Sequence, residues 1–344
     1  MAETSRSETE PAQRSRRVWF GRIRRTSLWM SVALLLGIAL CERLQPDACA
    51  AATAIPPWCW LIACMAVGGF GWTGASRRER AVAVAIALAF LWLSVEQTHS
   101  LARSAKDGLS SGRHDDQPPR LRVISINCNI GAASAAREAA VLDPDIVLLQ
   151  EAPGEEGVRE LTQSMFGDAG SFVWSPDCAI IARGALQRTD NAAQHFVQAT
   201  LQLTSGQTLE VISLRLSPPL VRYDLWSPSC WSEHAALRRK HRQEAADISS
   251  ALSAVPKGRA IVIGGDCNAP AGDGALQVWK PRLDDAFGSA GRGWGATVLN
   301  RFPVLRFDQL WCSDELTATR VWSAPTQNSD HRLVVGDFNL LPAP

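Results

Sequence analysis

Five short clusters of oxygen- and nitrogen-bearing side chains follow one another along the chain: Asn127-Cys128-Asn129, Gln150-Glu151, Gly265-Asp266-Cys267-Asn268, Arg306-Phe307-Asp308 and Ser329-Asp330-His331. All but one sit at or just after a run of aliphatic or β-branched residues, where an α/β sheet presents its reactive groups. Converging strand ends would gather carboxylates, carboxamides and one imidazole into an oxygen-rich pocket of the kind that suits Mg²⁺. The chemistry this implies is metal-assisted hydrolysis of a phosphate ester.

The elements that must position these groups can be read from the pattern around them. Residues 121–127 alternate into a strand that ends on Asn127, and continued alternation through Cys128 would return Asn129 to the same side. Residues 134–142 read as a helix, and Pro144-Asp145 turns the chain into a buried strand over 146–151. A glutamate closing such a run is costly unless it is paired or bound to a cation. Residues 260–265 form a second buried run, with Asp266, Asn268 and Pro270 beyond it. Gly336-Asp337-Phe338-Asn339 spells a similar word on what should be the last strand, and it is read as coincidence.

In this order the clusters resemble the endonuclease/exonuclease/phosphatase superfamily, over roughly the last two-thirds of the chain. The resemblance implies an α/β fold, a four-layer sandwich of two packed mixed sheets flanked by helices. It implies Glu151 as principal Mg²⁺ ligand (Mn²⁺ as a substitute), with Asn127, Asn129 and Asp330 completing the metal shell. Asp266 would orient or deprotonate the attacking water, Asn268 would hold a phosphoryl oxygen, and Asp308 would fix the ring of His331. His331 would then act as general base or as stabiliser of developing charge.

One departure stands out: many relatives place a histidine at the end of the strand over 209–216, where this chain has Arg215. Arginine cannot be a general acid near neutral pH but grips phosphate oxygens in pairs, so a phosphate clamp is expected, with a plain salt bridge as the alternative. The segment 217–231 precedes a helix over 232–252 and carries Tyr223 and Trp226, expected on the substrate side. His241 shares an apolar helix face and reads as packed, and His234 is a weaker substitute for the missing histidine.

The N-terminal third has a different character. Residues 1–27 form a basic tail, and 28–41, 55–72 and 81–95 are apolar stretches expected to make a three-span membrane region. Only the middle one nears the ~20 residues a bilayer crossing needs. Arg14, Arg16, Arg17, Arg22, Arg24 and Arg25 precede the first span and Arg77, Arg78 and Arg80 separate the second and third, whereas Arg43 alone lies between the first and second. The positive-inside rule then puts the N-terminus in the cytoplasm of a multi-pass inner-membrane protein and everything after residue 95 outside. Residues 96–119, rich in Ser, Asp and Gly, read as a tether to a catalytic domain over 120–344. That domain has 21 Lys+Arg against 24 Asp+Glu, a net charge of −3, which disfavours duplex DNA. Its cysteines 128 and 267 read as buried thiols, with a disulfide between them as the alternative.

The expected activity is that of a membrane-anchored, Mg²⁺-dependent phosphohydrolase acting on a phosphorylated small molecule or a lipid-linked phosphate or pyrophosphate. The rivals are an exported nuclease and a catalytically silent binding module. No protein partner is implied.

Overall fold

The computed structural model describes residues 9–109, 121–189, 194–203 and 206–341. By internal packing the chain divides into two units. One combines residues up to Gln45 with Ile55–Thr98, and the other combines Pro46–Ala54 with everything from His99 onward.

The first unit is helical. Helix α1 (Thr9–Leu44) contains Trp19–Leu44, 26 residues of mean hydropathy 1.6, long and apolar enough to cross a membrane. Helices α3 (Pro57–Gly71) and α4 (Arg77–Ser94) are shorter, and α4 opens on Arg77, Arg78, Glu79 and Arg80. Ser76 starts α4 through a reciprocal capping box with Glu79, and Glu79 also accepts from Arg25 and Trp29 of α1. Of the three spans expected from hydropathy, one is a single helix of crossing length. Three are reached only if each bent pair, Asp47–Thr53 with Pro57–Gly74 and Arg77–Ser94 with Glu96–Asp107, counts as one span. Met30, Leu36, Leu40, Met65, Leu88 and Leu93 present apolar surface outward, unlike the surface of a water-soluble helical bundle.

The second unit holds two six-stranded sheets. Its strands are β1 (Leu121–Asn127), β2 (Ile146–Gln150), β3 (Gly170–Trp174), β4 (Cys178–Arg183), β5 (Ala185–Thr189), β6 (Phe196–Gln202), β7 (Thr208–Arg215), β8 (Ala260–Asp266), β9 (Asp284–Asp285), β10 (Asp308–Cys312), β11 (Leu316–Ala324) and β12 (Leu333–Leu340). The first sheet runs β11-β12-β1-β2-β4-β3 and the second β5-β6-β7-β8-β10-β9. Each is mixed around one central parallel pair, β1 with β2 and β7 with β8, which both faces of the protein bury. Between the sheets lies an apolar layer that includes Val123, Leu148, Val197, Val211, Val262 and Leu310. Helices α6 (Ala133–Glu138) and α7 (Glu155–Phe166) cover the outer face of the first sheet, and α8 (Pro228–Ser253) covers that of the second. The expected layered α/β sandwich is thus observed.

Two segments outside the sandwich join it. The tether expected over 96–119 is helical over Glu96–Leu109 (α5), and residues 110–120 lie outside the described set. Helix α5 docks by polar contacts on the loop after α9 (Ala286–Ala290), with Ser100 Oγ donating to Gly293 O, Arg103 Nε donating to Gly291 O, and Ser104 Oγ accepting from Gly293 N. Leu101, Ala105 and Leu109 recur at helical spacing, but the Ser-, Asp- and Gly-rich composition reads as a tether and hid that signal. The second segment is Pro46–Ala54, which contains the short helix α2 (Ala50–Thr53) and packs on α8.

Cys128 and Cys267 are free thiols and fully buried. The two are not joined by the disulfide held as the alternative, and burial pushes the Cys128 thiol up to about 12 and raises Cys267 as well.

Candidate active site

The strand ends of the two sheets meet at one edge of the sandwich. Asn127 pairs with Gln150 across β1 and β2, while Asp266 lies in register between Arg215 on β7 and Asp308 on β10. Contacts then cross from sheet to sheet. Asn127 Nδ2 donates to Glu151 Oε1 and to Asp266 Oδ2, each at 3.2 Å, so the two carboxylates stand within twice that distance of each other. Arg215 Nη2 donates to Glu151 Oε1 at 2.8 Å, and Gln150 Nε2 donates to Ser213 Oγ at 3.2 Å. The seam between the sheets changes here from aliphatic to hydrogen-bonded, with Arg215 Nε and Asp308 Oδ1 left without partners.

Two clusters share one local design. In Asn127-Cys128-Asn129 the first side chain accepts from the amide two residues on at 2.9 Å, and in Asp266-Cys267-Asn268 the same contact is 3.0 Å. Both are Asx turns that end a strand, anchored by the buried cysteine between them. Asn129 and Asn268 accordingly take left-handed backbone (φ 45° and 47°), as do Ile130 and Glu151 (φ 57° and 46°). Four of the seven non-glycine residues with positive φ among those described thus lie at this edge, a concentration of backbone strain typical of working sites.

Gly264 and Gly265 make the approach possible. A Cβ on Gly264 would meet Leu310 Cδ2 at 2.5 Å and Leu148 Cδ1 at 2.9 Å, so the sheets close tightly just before the site. A Cβ on Gly265, at φ 151°, would lie 1.8 Å from Leu214 O. Only glycine fits there, and it sets the direction of Asp266.

Asp266 and Asp308 are 2% and 0% exposed and His331 is 9% exposed. A ligating atom from each lies within 4.8 Å of the others. His331 Nδ1 is 2.8 Å from Asp308 Oδ2, which leaves Nε2 as the ring nitrogen for proton transfer. Ser329 Oγ donates to Asn127 O at 2.8 Å and accepts from His331 N at 3.0 Å, tying the last cluster to the first. Burial, reinforced by the charge of Asp308, pushes the Asp266 carboxyl up to about 7. For His331 burial works against protonation, but the charge and hydrogen bond of Asp308, with Asp266 and Asp330 behind them, overcome it and raise the imidazole to about 10. Burial also opposes ionisation of Glu151, yet the Ile130 amide, Asn127 and Arg215 outweigh it and hold that carboxyl below its ordinary value.

These groups fit a hard divalent cation. Oxygen donors predominate, and Asp308 Oδ1 is buried without a hydrogen-bond partner. His331 is the poor candidate despite its proximity, because Nδ1 is taken by Asp308 and the ring holds its proton.

Several expectations are corrected. Asn129 does not return to the side of Asn127 by alternation, because β1 ends at Asn127 and the turn sends Asn129 outward, where it is exposed. Asp330 is also exposed, and the close group of Asp266, Asp308 and His331 does not include it. Trp226 is 87% exposed, whereas Tyr223 lines a cleft together with Asn268. Arg215 pairs with Glu151 and with Asp177 Oδ1 at 3.2 Å, the salt-bridge alternative, while its Nε is buried without a partner. Asp177 was missed because no motif marks it. His241 and His234 each spend Nε2 on a backbone carbonyl, of Ser217 and Arg222. Asp337, in the look-alike word, is paired with Arg122 at 2.7 Å.

The chain belongs to the Endonuclease/Exonuclease/phosphatase family, whose pattern matches residues 124–331. Among solved structures, an endonuclease/exonuclease/phosphatase from Bacteroides vulgatus is similar at 13% identity and TM-score 0.51, covering 64% of this chain and 98% of that one. A mannosyl-6-phosphatase from Bacteroides thetaiotaomicron VPI-5482 is similar at 13% identity and TM-score 0.49, covering 64% and 100%. A humanized D. rerio TDP2 follows at 15% identity and TM-score 0.46, covering 64% and 98%. At these identities the likeness concerns the fold. Comparison with curated protein sequences returns no match.

Proposed function

We propose that this chain is a membrane-anchored, Mg²⁺-dependent phosphohydrolase acting outside the cytoplasmic membrane on a lipid-linked phosphate or pyrophosphate. The observation that carries the reading is the single amide of Asn127 bridging Glu151 of one sheet and Asp266 of the other, beside the His331–Asp308 pair. Glu151 and Asn127 would hold the cation, with Asp266 beside it. When bound, Mg²⁺ supplies Lewis-acid polarisation of the phosphoryl group and offsets negative charge. The protein's own groups do the rest. Asp266 in its anionic form orients the attacking water and accepts its proton. Asn268 and the unpaired Nε–H of Arg215 donate to phosphoryl oxygens, and His331, fixed by Asp308, offsets charge or returns a proton through Nε2. The arginine distribution around α1 and before α4 supports an N-terminus in the cytoplasm.

The test is hydrolysis by the full chain in neutral detergent, with and without Mg²⁺, of a polyprenyl pyrophosphate and of plasmid DNA. Phosphate release from the lipid without nicking supports the reading. Nicking without phosphate release replaces it with a nuclease, and turnover of neither leaves a binding module in its place.

A further inference from the structure

The guanidinium of Arg215 is wedged between two carboxylates. Its Nη2 donates to Glu151 Oε1 at 2.8 Å, and its Nη1 lies 3.2 Å and 3.4 Å from the two oxygens of Asp177. Arg215 reaches them from the second sheet, whereas Glu151 follows β2 and Asp177 turns the chain between β3 and β4, both in the first. Those two segments are pinned to each other, since Ala152 N, next after Glu151, donates to Asp177 O at 3.3 Å. Acceptor positions at the site are largely taken. An ionised carboxylate offers about four lone-pair positions. Glu151 Oε1 accepts from Arg215 and from Asn127 Nδ2, and Oε2 accepts from Ile130 N at 2.6 Å. One direction stays open, enough for one bond to an ion and not for a bridge between two. In the neighbouring group Asp266 accepts backbone and side-chain amides on its two oxygens and Asp308 Oδ2 holds His331, so Asp308 Oδ1 is its one orphaned carboxylate oxygen.

We propose that the centre takes a single divalent cation, and that Arg215, held by Asp177, is the fixed positive charge standing where a second ion would otherwise share Glu151. Asp177 is then a positioning residue that acts through Arg215. The proposal rests on the cation-dependent phosphohydrolase reading and sets its metal count. Two-ion centres place their metals about 3.5–4 Å apart, a spacing that calls for a shared oxygen ligand. Glu151 has no second direction left to give, because the arginine occupies it. A guanidinium is charged at every working pH and fits carboxylates through directed hydrogen bonds, whereas Mg²⁺ gives up its water reluctantly. A divalent ion entering between Glu151 and Asp177 would also be repelled by the charge already there. Without the arginine, the same two carboxylates would share a gap with no positive charge between them, which is a seat for a hard cation.

The test titrates the full chain in neutral detergent with Mn²⁺ and follows the ion by electron paramagnetic resonance. Two Mn²⁺ ions that share a carboxylate couple magnetically, whereas a lone ion, or ions scattered over surface carboxylates, do not. The wild type and Arg215→Lys should bind an uncoupled ion, and Arg215→Gln a coupled pair. Adding Asp177→Asn to Arg215→Gln should abolish the coupling. Asp177→Asn alone should weaken Mn²⁺ binding severalfold by leaving the whole guanidinium charge to Glu151, and should not weaken the first ion when Arg215 is already Gln. A coupled pair in the wild type, or an uncoupled spectrum in folded Arg215→Gln, overturns the proposal and leaves the cation reading standing. Equal weakening by Asp177→Asn in both backgrounds overturns the role given to Asp177. A wild type that binds no Mn²⁺ overturns the cation reading as well, so the two failures are distinguishable. If Arg215→Gln does not fold, the wild-type spectrum decides.

Discussion

Asp266 and His331 share this buried edge, and their proton affinities are displaced in a way that can be measured. The Asp266 carboxyl is raised from 3.8 to about 7, and the His331 imidazole from 6.5 to about 10. In each case the folded state binds the proton more tightly than the unfolded chain. The stabilising contribution is complete below the unfolded value and is lost as pH rises through the folded one. In chelator, the melting temperature of the full chain should therefore fall steadily from pH 5 to pH 9. Mg²⁺ should flatten the lower part of that decline by replacing the proton at Asp266. A melting temperature that rises over that range in chelator would contradict the assignment. Substitution of His331 by Ala is expected to lower turnover by about 10²–10⁴-fold, the range for a positioned proton-transfer group, and Asp308→Ala by a similar factor since it orients the same ring.

At the scale of elements, the aliphatic runs of β2 and β8 were legible because both strands are buried on both faces and read as continuous apolar words, whereas their parallel pairing with β1 and β7 is known only from the register. The Asx turns after β1 and β8 were less so. Alternation says nothing about a residue that leaves the strand, and Asn129 went outward for that reason. Helix α5, which docks through Ser100 and Arg103 onto carbonyls, and the connector, which Arg238 and Arg242 of α8 hold by Pro46 O, Thr53 Oγ1 and the Asp47 carboxylate, were illegible because such contacts have no periodic signature. Gly265 gives the sharpest element-level prediction. Gly265→Ala should cost several kcal/mol, at the upper end of what one substitution does, and should abolish turnover, since relief of the clash with Leu214 O must move Asp266. Leu148→Ala, at the tight closure of the sheets, should cost about 2–5 kcal/mol, read from denaturant midpoints, with the site geometry weakened rather than erased.

For the whole molecule, the sequence disclosed an apolar N-terminal region followed by a phosphoesterase-like sandwich, but not the boundary between them. The connector Pro46–Ala54 lies before two further apolar stretches in the chain and still folds with the catalytic unit, through Arg238 and Arg242, which carry no motif. The protein should resist extraction by alkaline carbonate and dissolve in detergent, and release by carbonate alone would contradict an anchor of the length of α1. Reporter fusions placed after residue 341 should be active outside the cytoplasm, as the arginine bias requires, and activity inside would reverse the orientation.

The central claim is that Glu151, brought beside Asp266 by the amide of Asn127, belongs to a cation-dependent hydrolytic centre. The most direct measurement is the rate of phosphate release from a lipid phosphate by the full chain, with Mg²⁺ or chelator, for the wild type and for Glu151→Ala. Hydrolysis that needs Mg²⁺ and falls at least a thousandfold in the variant, with the variant still folded, is the predicted result. Hydrolysis that is indifferent to chelator, or that survives loss of Glu151, would contradict it.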